Sequence, residues 1–156
     1  MTEQEAFKLG HQLMETAPVA FLTTINGEGF PETRSMFNLR RKEQFPGLRV
    51  FDRDPGSFTA WFTTNTSSSK VAQVRSNPRA CVYYSDPDHW RGLMLLGLAT
   101  VVEDGAMKRE LWQEGWEMYY PGGPGDPDYA LLRLEPSELK YYHQMNLVHA
   151  RLAGRP

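Results

Sequence analysis

Residues 61–84 read WFTTNTSSSKVAQVRSNPRACVYY and predict a strand, a helix and a second strand in close succession. Residues 63–69 are all Ser, Thr or Asn, and Lys70 follows them directly. Val71 and Val74 supply the apolar stripe of a helix that ends before an Asn-Pro pair. A run of small polar donors therefore comes immediately before the start of a helix.

This polar run has two interpretations. The first amides of a helix lack intrahelical acceptors, and the helix dipole adds partial positive charge there. Small hydroxyl side chains and a lysine at that point would form a pocket for a phosphate. Alternatively, Ser67, Ser68 and Ser69 are ordinary helix caps, and Lys70 points into solvent. The stretch alone leaves both interpretations open.

Strand patterns dominate the rest of the chain, which predicts six or seven strands and about three helices. The predicted strands are 19–25, 30–39, 48–51, 58–64, 79–85, 91–103 and 129–143, the last interrupted at Pro136. The predicted helices follow Thr2, the serine run and Asp104, and the third carries Met107, Leu111, Trp112 and Trp116. Strands that follow one another in adjacent pairs favour an antiparallel barrel or sandwich.

Composition and charge narrow the possible functions. The 156 residues predict a single domain, 1–156, and the net charge of −2 gives no footprint for nucleic acid or an anionic membrane. No stretch approaches the roughly 20 apolar residues that span a bilayer, and the N-terminus does not resemble a signal peptide. The single cysteine, Cys81, lies in a strand pattern and is expected to be a buried, inert thiol. We therefore expect a cytoplasmic protein, and the scattered histidines predict no metal site.

The strand pattern over 30–39 places alternate residues on one face of the sheet. These are Arg34, Met36 and Asn38 on one face, and Ser35, Phe37 and Leu39 on the other. The first set suits a flat, partly polar ligand. Alternatively, Arg34 lies on a solvated edge, and periodicity does not separate the two.

Several short motifs in a fixed order carry a resemblance to a known family. They are TRSM, WFTT, SSSKV, RSNPRACVYY, GLA, LW and PGGPGDPDYALLRLEP. Over roughly residues 5 to 143 the chain resembles the pyridoxamine-phosphate-oxidase-like flavoproteins with an FMN-binding split barrel, and it is most similar to the general stress protein 26 type. The resemblance implies a mainly β fold, a split antiparallel barrel of six or seven strands, and a homodimer with FMN at the subunit interface.

The resemblance also implies which residues contact the cofactor. Arg34, Ser35, Met36 and Phe37 would line the isoalloxazine and ribityl part, Thr63 and Thr64 the ribityl-phosphate region, and Ser68, Ser69 and Lys70 the phosphate. Two positions depart from the oxidases of the family. Ser69 stands where they usually carry arginine, and Leu147 replaces the arginine of their Arg-x-His segment, although His149 and Arg151 are present.

These features predict an FMN-dependent oxidoreductase that acts on a small molecule, with an electron donor such as NAD(P)H. A flavin-binding stress or sensor protein without turnover is the first alternative. Because the arginine is absent at position 69, a related cofactor such as a deazaflavin or heme is the second alternative. Oxidation of pyridoxamine phosphate is disfavoured, since a buried substrate phosphate needs a charge partner.

Overall fold

A computed structural model of the chain describes residues 1–152, and these form a mainly β structure with seven strands and three α-helices. The strands are β1 (Val19–Ile25), β2 (Pro31–Phe37), β3 (Ala60–Asn65), β4 (Arg79–Asp86), β5 (Arg91–Val102), β6 (Tyr129–His143) and β7 (Asn146–Arg151). The α-helices are α1 (Glu3–Thr16), α2 (Ser69–Ser76) and α3 (Gly105–Leu111). The predicted fold class is confirmed.

The strands form one antiparallel sheet that curls into a half-barrel. Its order is β2-β1-β4-β5-β6-β3, and β7 pairs with the second half of β6. The long strand β6 pairs with β5 along most of its length, and with β3 through its first half. This topology brings residues of β1, β2 and β3 within hydrogen-bond distance of α2 and its N-cap residue.

A bulge replaces the predicted interruption of the last strand. Pairing between β5 and β6 shifts register after Leu96, so that Gly97 pairs with Pro136. A side chain at Gly97 would meet the carbonyl oxygen of Glu135 at 2.1 Å, which explains the glycine. Proline is tolerated at such a bulge, where a ladder hydrogen bond is already absent, and β6 therefore continues past Pro136.

Two hydrophobic clusters stabilise the sheet. The main cluster joins α1 and α2 to the inner face, with members such as Leu13, Val71 and Phe62 that are almost fully buried. The second is rich in aromatic residues and packs α3 and the loop after it against β3 and β6. The second cluster includes Phe45, Leu111, Trp116, Tyr120 and Tyr129.

Helix α1 begins as the sequence predicts, with a capping box between Thr2 and Glu5. Its C-terminal end is held by Asn38, whose Nδ2 donates to the carbonyl oxygens of Met14 (2.7 Å) and Ala17 (2.9 Å). Asn38 is buried and lies beyond the end of β2. Its predicted place on the ligand-facing surface of that strand is therefore wrong.

Three element predictions are also wrong in detail. The segment 48–51 is not a strand; a 3₁₀ turn, Val50–Arg53, occupies this region. The seventh strand is instead Asn146–Arg151. Helix α3 ends at Leu111, and Trp116 lies in a separate 3₁₀ turn. For the strand predictions, pairing with β6 decided between conformations that a short apolar pattern allows equally.

Candidate functional site

Arg34 lies on the half-buried face of β2 and reaches across β1 towards α2. Its Nη1 donates to Thr24 Oγ1 at 2.7 Å and to the carbonyl oxygen of Glu32 at 2.9 Å. Its Nη2 donates to Gln73 Oε1 at 3.3 Å. These acceptors are neutral, so the guanidinium is held in place without being neutralised by direct contact. β2 is an edge strand of the sheet, as the solvated-edge interpretation expects, but the Arg34 side chain is half-buried and its guanidinium is bound to neighbouring acceptors.

Lys70 approaches the same region from the first turn of α2. Its Nζ donates to Thr64 Oγ1 at 3.1 Å, and Thr64 Oγ1 also shares a hydrogen bond with Ser68 Oγ at 3.2 Å. Thr64 is only 3% exposed, and Lys70 is half-buried. The lysine therefore does not extend freely into solvent, as the alternative interpretation required.

The two cations of this region form a positive site that no contacting carboxylate in residues 1–152 neutralises. Burial lowers the pKa of Lys70, and the charge of Arg34 lowers it further. Burial also lowers the pKa of Arg34, against the opposing effect of Glu32. Neither cation forms an ion pair with a carboxylate anywhere in residues 1–152. An anion placed between them would relieve this repulsion.

The start of α2 adds backbone donors to the two cations. Ser68 is the N-cap residue, but its side chain makes no capping hydrogen bond. The next two amides, of Ser69 and Lys70, contact no acceptor of residues 1–152. Such amides are the donors with which a helix start binds an anion. Here they coincide with two side-chain cations, which a capping role alone does not explain.

The middle of the polar run has a different role, because Asp128 binds it. Asn65 Nδ2 donates to Asp128 Oδ2 at 2.7 Å, and the Ser67 amide donates to Oδ1 at 2.9 Å. The Thr66 amide donates to the Asp128 carbonyl at 2.8 Å. The bonds from Asn65 and Ser67 hold the pKa of the Asp128 carboxyl below its usual range. Residues 65–67 are thus anchored to the loop before β6 and positioned to shape the start of α2.

The pleat of the strands separates the other predicted site residues into two groups. Met36 shares the half-buried face of Arg34, whereas Ser35 and Phe37 lie on the exposed face of β2. Phe37 stacks on Trp116 with ring centroids 5.9 Å apart and 11° between planes. Thr63 lies on the face of β3 opposite to Thr64 and near the Tyr120 hydroxyl. The structure brings Arg34, Thr64, Ser68, Ser69 and Lys70 together, with Met36 beside them.

Sequence reasoning missed four residues that complete this site: Thr24, Glu32, Gln73 and Asp128. Gln73 follows Lys70 by three positions, which places both on one face of the helix. That spacing is the only signal the sequence contains for it. Thr24 and Glu32 reach the site through strand pairing, and Asp128 through a contact 61 residues away from Ser67. Only the folded sheet creates these contacts.

The remaining candidate groups lie elsewhere. Cys81 is half-buried rather than fully buried, and burial raises the pKa of its thiol. His149 Nε2 lies 2.9 Å from Glu138 Oε2 on the exposed surface of β7 and β6.

Within residues 1–152 no group of three metal-ligating side chains occurs. No helix in that part of the chain is long and apolar enough to cross a membrane.

Comparison with known proteins finds one matching family model and several solved structures that are similar to the chain. The family model described as pyridoxamine 5'-phosphate oxidase like matches residues 51–152, well over half of the chain. A solved structure from Clostridium acetobutylicum, described as related to general stress protein 26 of B. subtilis and of the pyridoxinephosphate oxidase family, is 28% identical. The alignment covers 97% of each chain, with a TM-score of 0.77. No curated protein matches the chain.

Two further solved structures share the fold. General stress protein 26 from Bacillus anthracis is 18% identical over 97% of this chain and 100% of that one, with a TM-score of 0.68. A heme-binding protein from Mycobacterium smegmatis is 13% identical over 97% of this chain and 60% of that one, with a TM-score of 0.67. At these identities the likeness shows the fold alone.

Proposed function

The chain belongs to the pyridoxamine 5'-phosphate oxidase-like family, and from that premise we propose that it is an FMN-binding oxidoreductase whose phosphate subsite is the start of α2. One observation carries the proposal. Arg34 and Lys70 are half-buried, lack carboxylate partners within residues 1–152, and lie beside unpaired helix amides. A phosphate dianion fits this donor set, because it supplies the negative charge and the acceptor oxygens that the protein does not.

Each residue of the subsite has a definite task. Lys70 and Arg34 would supply charge, and the amides of Ser69 and Lys70 would donate to phosphate oxygens. The hydroxyls of Thr64 and Ser68 keep the lysine aimed at the site. Because Ser69 lacks the guanidinium that the oxidases usually carry there, Arg34 would provide the planar donor from β2 instead.

The flavin ring would lie away from the phosphate, along β2. Met36 offers apolar contact on the half-buried face of that strand. Ser35 and Phe37 are exposed on the opposite face, and Phe37 is 40% exposed despite its stacking on Trp116. Exposed residues at this position could contact the flavin ring or a second subunit. Members of the family are commonly dimers, and we propose a homodimer with the flavin at its interface.

When bound, FMN would supply the hydride or electron transfer, with NAD(P)H as a suitable donor. The chain's own residues would bind and orient the cofactor. No side chain at the site has the burial and partners of a general acid or base, so we assign none. We place the protein in the cytoplasm, consistent with a lone unpaired cysteine.

A heme-binding role is the second candidate, supported by the shared fold with the mycobacterial heme-binding protein. The positive site at α2 would then contact a propionate rather than a phosphate. Oxidation of pyridoxamine phosphate has less support, since Leu147 is 66% exposed where the oxidases carry an arginine. In addition, His149 is already paired with Glu138.

The test begins with the visible spectrum of the purified protein, followed by titration of the ligand-free protein with FMN and with riboflavin. We expect flavin absorption bands and tighter binding of FMN than of riboflavin. A Soret band would favour heme, and equal affinity for FMN and riboflavin would contradict the phosphate subsite.

Anaerobic mixing of the flavin-loaded protein with NADH or NADPH then tests turnover. Bleaching supports an oxidoreductase, and its absence with both donors supports a sensor.

A further inference from the structure

Gln73 occupies an unusual position between a cation and an anion. Its Oε1 accepts from Thr24 Oγ1 at 2.5 Å and from Arg34 Nη2 at 3.3 Å. Its Nε2 donates to Glu32 Oε2 at 2.9 Å. A primary amide is suited to this role, because it presents an acceptor on one side and donors on the other. The reversed amide would direct N–H groups at the guanidinium, so the network fixes its orientation.

Glu32 and Arg34 would otherwise be natural partners. They are two residues apart on β2, and their side chains therefore share the half-buried face. Charge-assisted, bidentate pairs of arginine and carboxylate are among the strongest hydrogen-bonded contacts in proteins. In the structure the two side chains form no ion pair, and the carboxylate is held by the Gln73 amide instead.

We propose that Gln73 is a positioning residue that keeps the Glu32 carboxylate from neutralising Arg34. Arg34 is thereby oriented by neutral acceptors and forms no ion pair with Glu32, so its hydrogen-bond donors remain available to an anionic ligand. Gln73 thus sets the charge selectivity of the site, so that a dianionic phosphate is favoured over a neutral ligand. The identity of that ligand as FMN rests on the proposed function. The absence of an ion pair between Arg34 and Glu32, which Gln73 maintains, does not depend on it.

The first experiment measures Kd for FMN and riboflavin in Gln73→Ala, in Glu32→Gln and in the double variant. In Gln73→Ala the carboxylate is free to pair with Arg34, and we expect FMN affinity to fall about tenfold with riboflavin affinity nearly unchanged. Glu32→Gln removes the competing carboxylate and should restore FMN affinity in the double variant. A purely structural role for Gln73 predicts no such rescue, and additive losses or an equal loss of riboflavin would overturn the proposal.

Gln73→Glu provides a second variant, since it places a carboxylate directly against Arg34. We expect it to lose FMN affinity by more than the alanine variant does. Gln12→Glu, on the exposed surface of α1, makes the same chemical change away from the site and should leave FMN affinity unaltered. An equal effect of the two glutamate variants would also overturn the proposal.

The crystal structure of ligand-free Gln73→Ala separates this inference from the proposed function. We expect the Glu32 carboxylate to lie within ion-pair distance of the Arg34 guanidinium. If Glu32 remains apart from Arg34, the inference is wrong, whether or not the protein binds FMN. If the pair forms but the native protein binds no FMN, the proposed function fails while the role of Gln73 stands.

Discussion

Residues 63–70, the polar run and the lysine that follows it, contain two groups that differ in a way that chemical composition does not reveal. Residues 65–67 donate to the carboxylate and backbone of Asp128, and their hydrogen-bonding capacity is used within the protein. Thr64, Ser68 and Lys70 form a second group, in which two hydroxyls position a cation that has no carboxylate partner in residues 1–152. The first group is structural, and the second leaves charge available to a ligand.

This difference shows how a ligand site can be distinguished from a well-formed loop. Both groups consist of small polar residues at the start of a helix, where caps are common. The distinguishing feature is the charge balance. Residues 65–67 contact the carboxylate of Asp128, whereas Lys70 contacts no carboxylate in residues 1–152. Substitutions in the two groups are therefore expected to differ in their effect on FMN affinity.

The largest effect is expected for Lys70→Ala. Loss of a charge-assisted bond to the phosphate should weaken FMN binding by about 1.5–3 kcal/mol, while riboflavin binding changes little. Because Lys70 is repelled by Arg34 in the ligand-free protein, the Tm of the ligand-free variant should not fall. Fluorescence titration and thermal unfolding measure both quantities. Lys8→Ala, on the exposed surface of α1, is the matched control, and an FMN Kd unchanged from the native value would remove Lys70 from the site.

The pH dependence of FMN affinity should follow the same lysine. The contribution of Lys70 is complete below its pKa in the free protein, and it is lost as the pH rises through that value. Since burial and Arg34 lower this pKa, the decline should begin below the range of an ordinary lysine. Affinity should also fall below about pH 6, where the phosphate loses its second charge.

Lys70→Arg is the control for this pH profile, because a guanidinium stays protonated throughout the accessible range. We expect the alkaline decline to disappear in that variant and the acidic one to persist. A native profile that stays level up to the ordinary lysine range would show that Lys70 does not contact the phosphate.

A smaller effect is expected for Thr64→Val, which keeps the shape of the side chain but removes the hydroxyl that aims Lys70. Loss of one hydrogen bond should weaken FMN binding by about 0.5–1.5 kcal/mol. Calorimetric titration measures this change. Thr63→Val is the control, because its side chain lies on the opposite face of β3. If Thr63→Val weakens binding as much as Thr64→Val, the two faces do not differ in function.

The smallest effect on affinity is expected for Asp128→Asn, whose main consequence should be a lower Tm. The bonds from Asn65 and Ser67 lower the pKa of this carboxyl. Its contribution to stability is therefore present above the carboxyl's ordinary pKa, and it is lost as the pH falls through the lowered value. Thermal unfolding between neutral and acidic pH should show a smaller acid-induced loss in the variant. Asp88→Asn, in an exposed turn, should match the native protein.

Several parts of this picture follow from local sequence. The capping box of α1, the Asp104 cap of α3 and the ends of α2 depend on neighbouring residues, and all lie close to where the sequence predicts them. Lys70 and Ser68 could be proposed as ligand contacts for the same reason, since a helix start presents its donors locally.

Other parts depend on contacts between distant residues. The segment 48–51 and the segment 146–151 both have apolar character, yet only the second has a strand edge to pair with, on β6. Asn38 continues the alternation of β2, but its amide is used to hold the end of α1. Periodicity alone does not predict whether a segment pairs as a strand, or whether a polar side chain faces a ligand or caps a helix.

The amino-acid sequence by itself determined the mainly antiparallel fold and the polar start of α2, because strand alternation, turn residues and helix caps act over a few positions. Only the tertiary structure decided that Asp128 accepts the hydrogen bonds of Asn65 and Ser67. It also decided that the Gln73 amide contacts both Glu32 and Arg34. The physical reason is that charge compensation depends on distance in space. The balance that leaves Arg34 and Lys70 available to an anion is set by partners from four different segments of the chain.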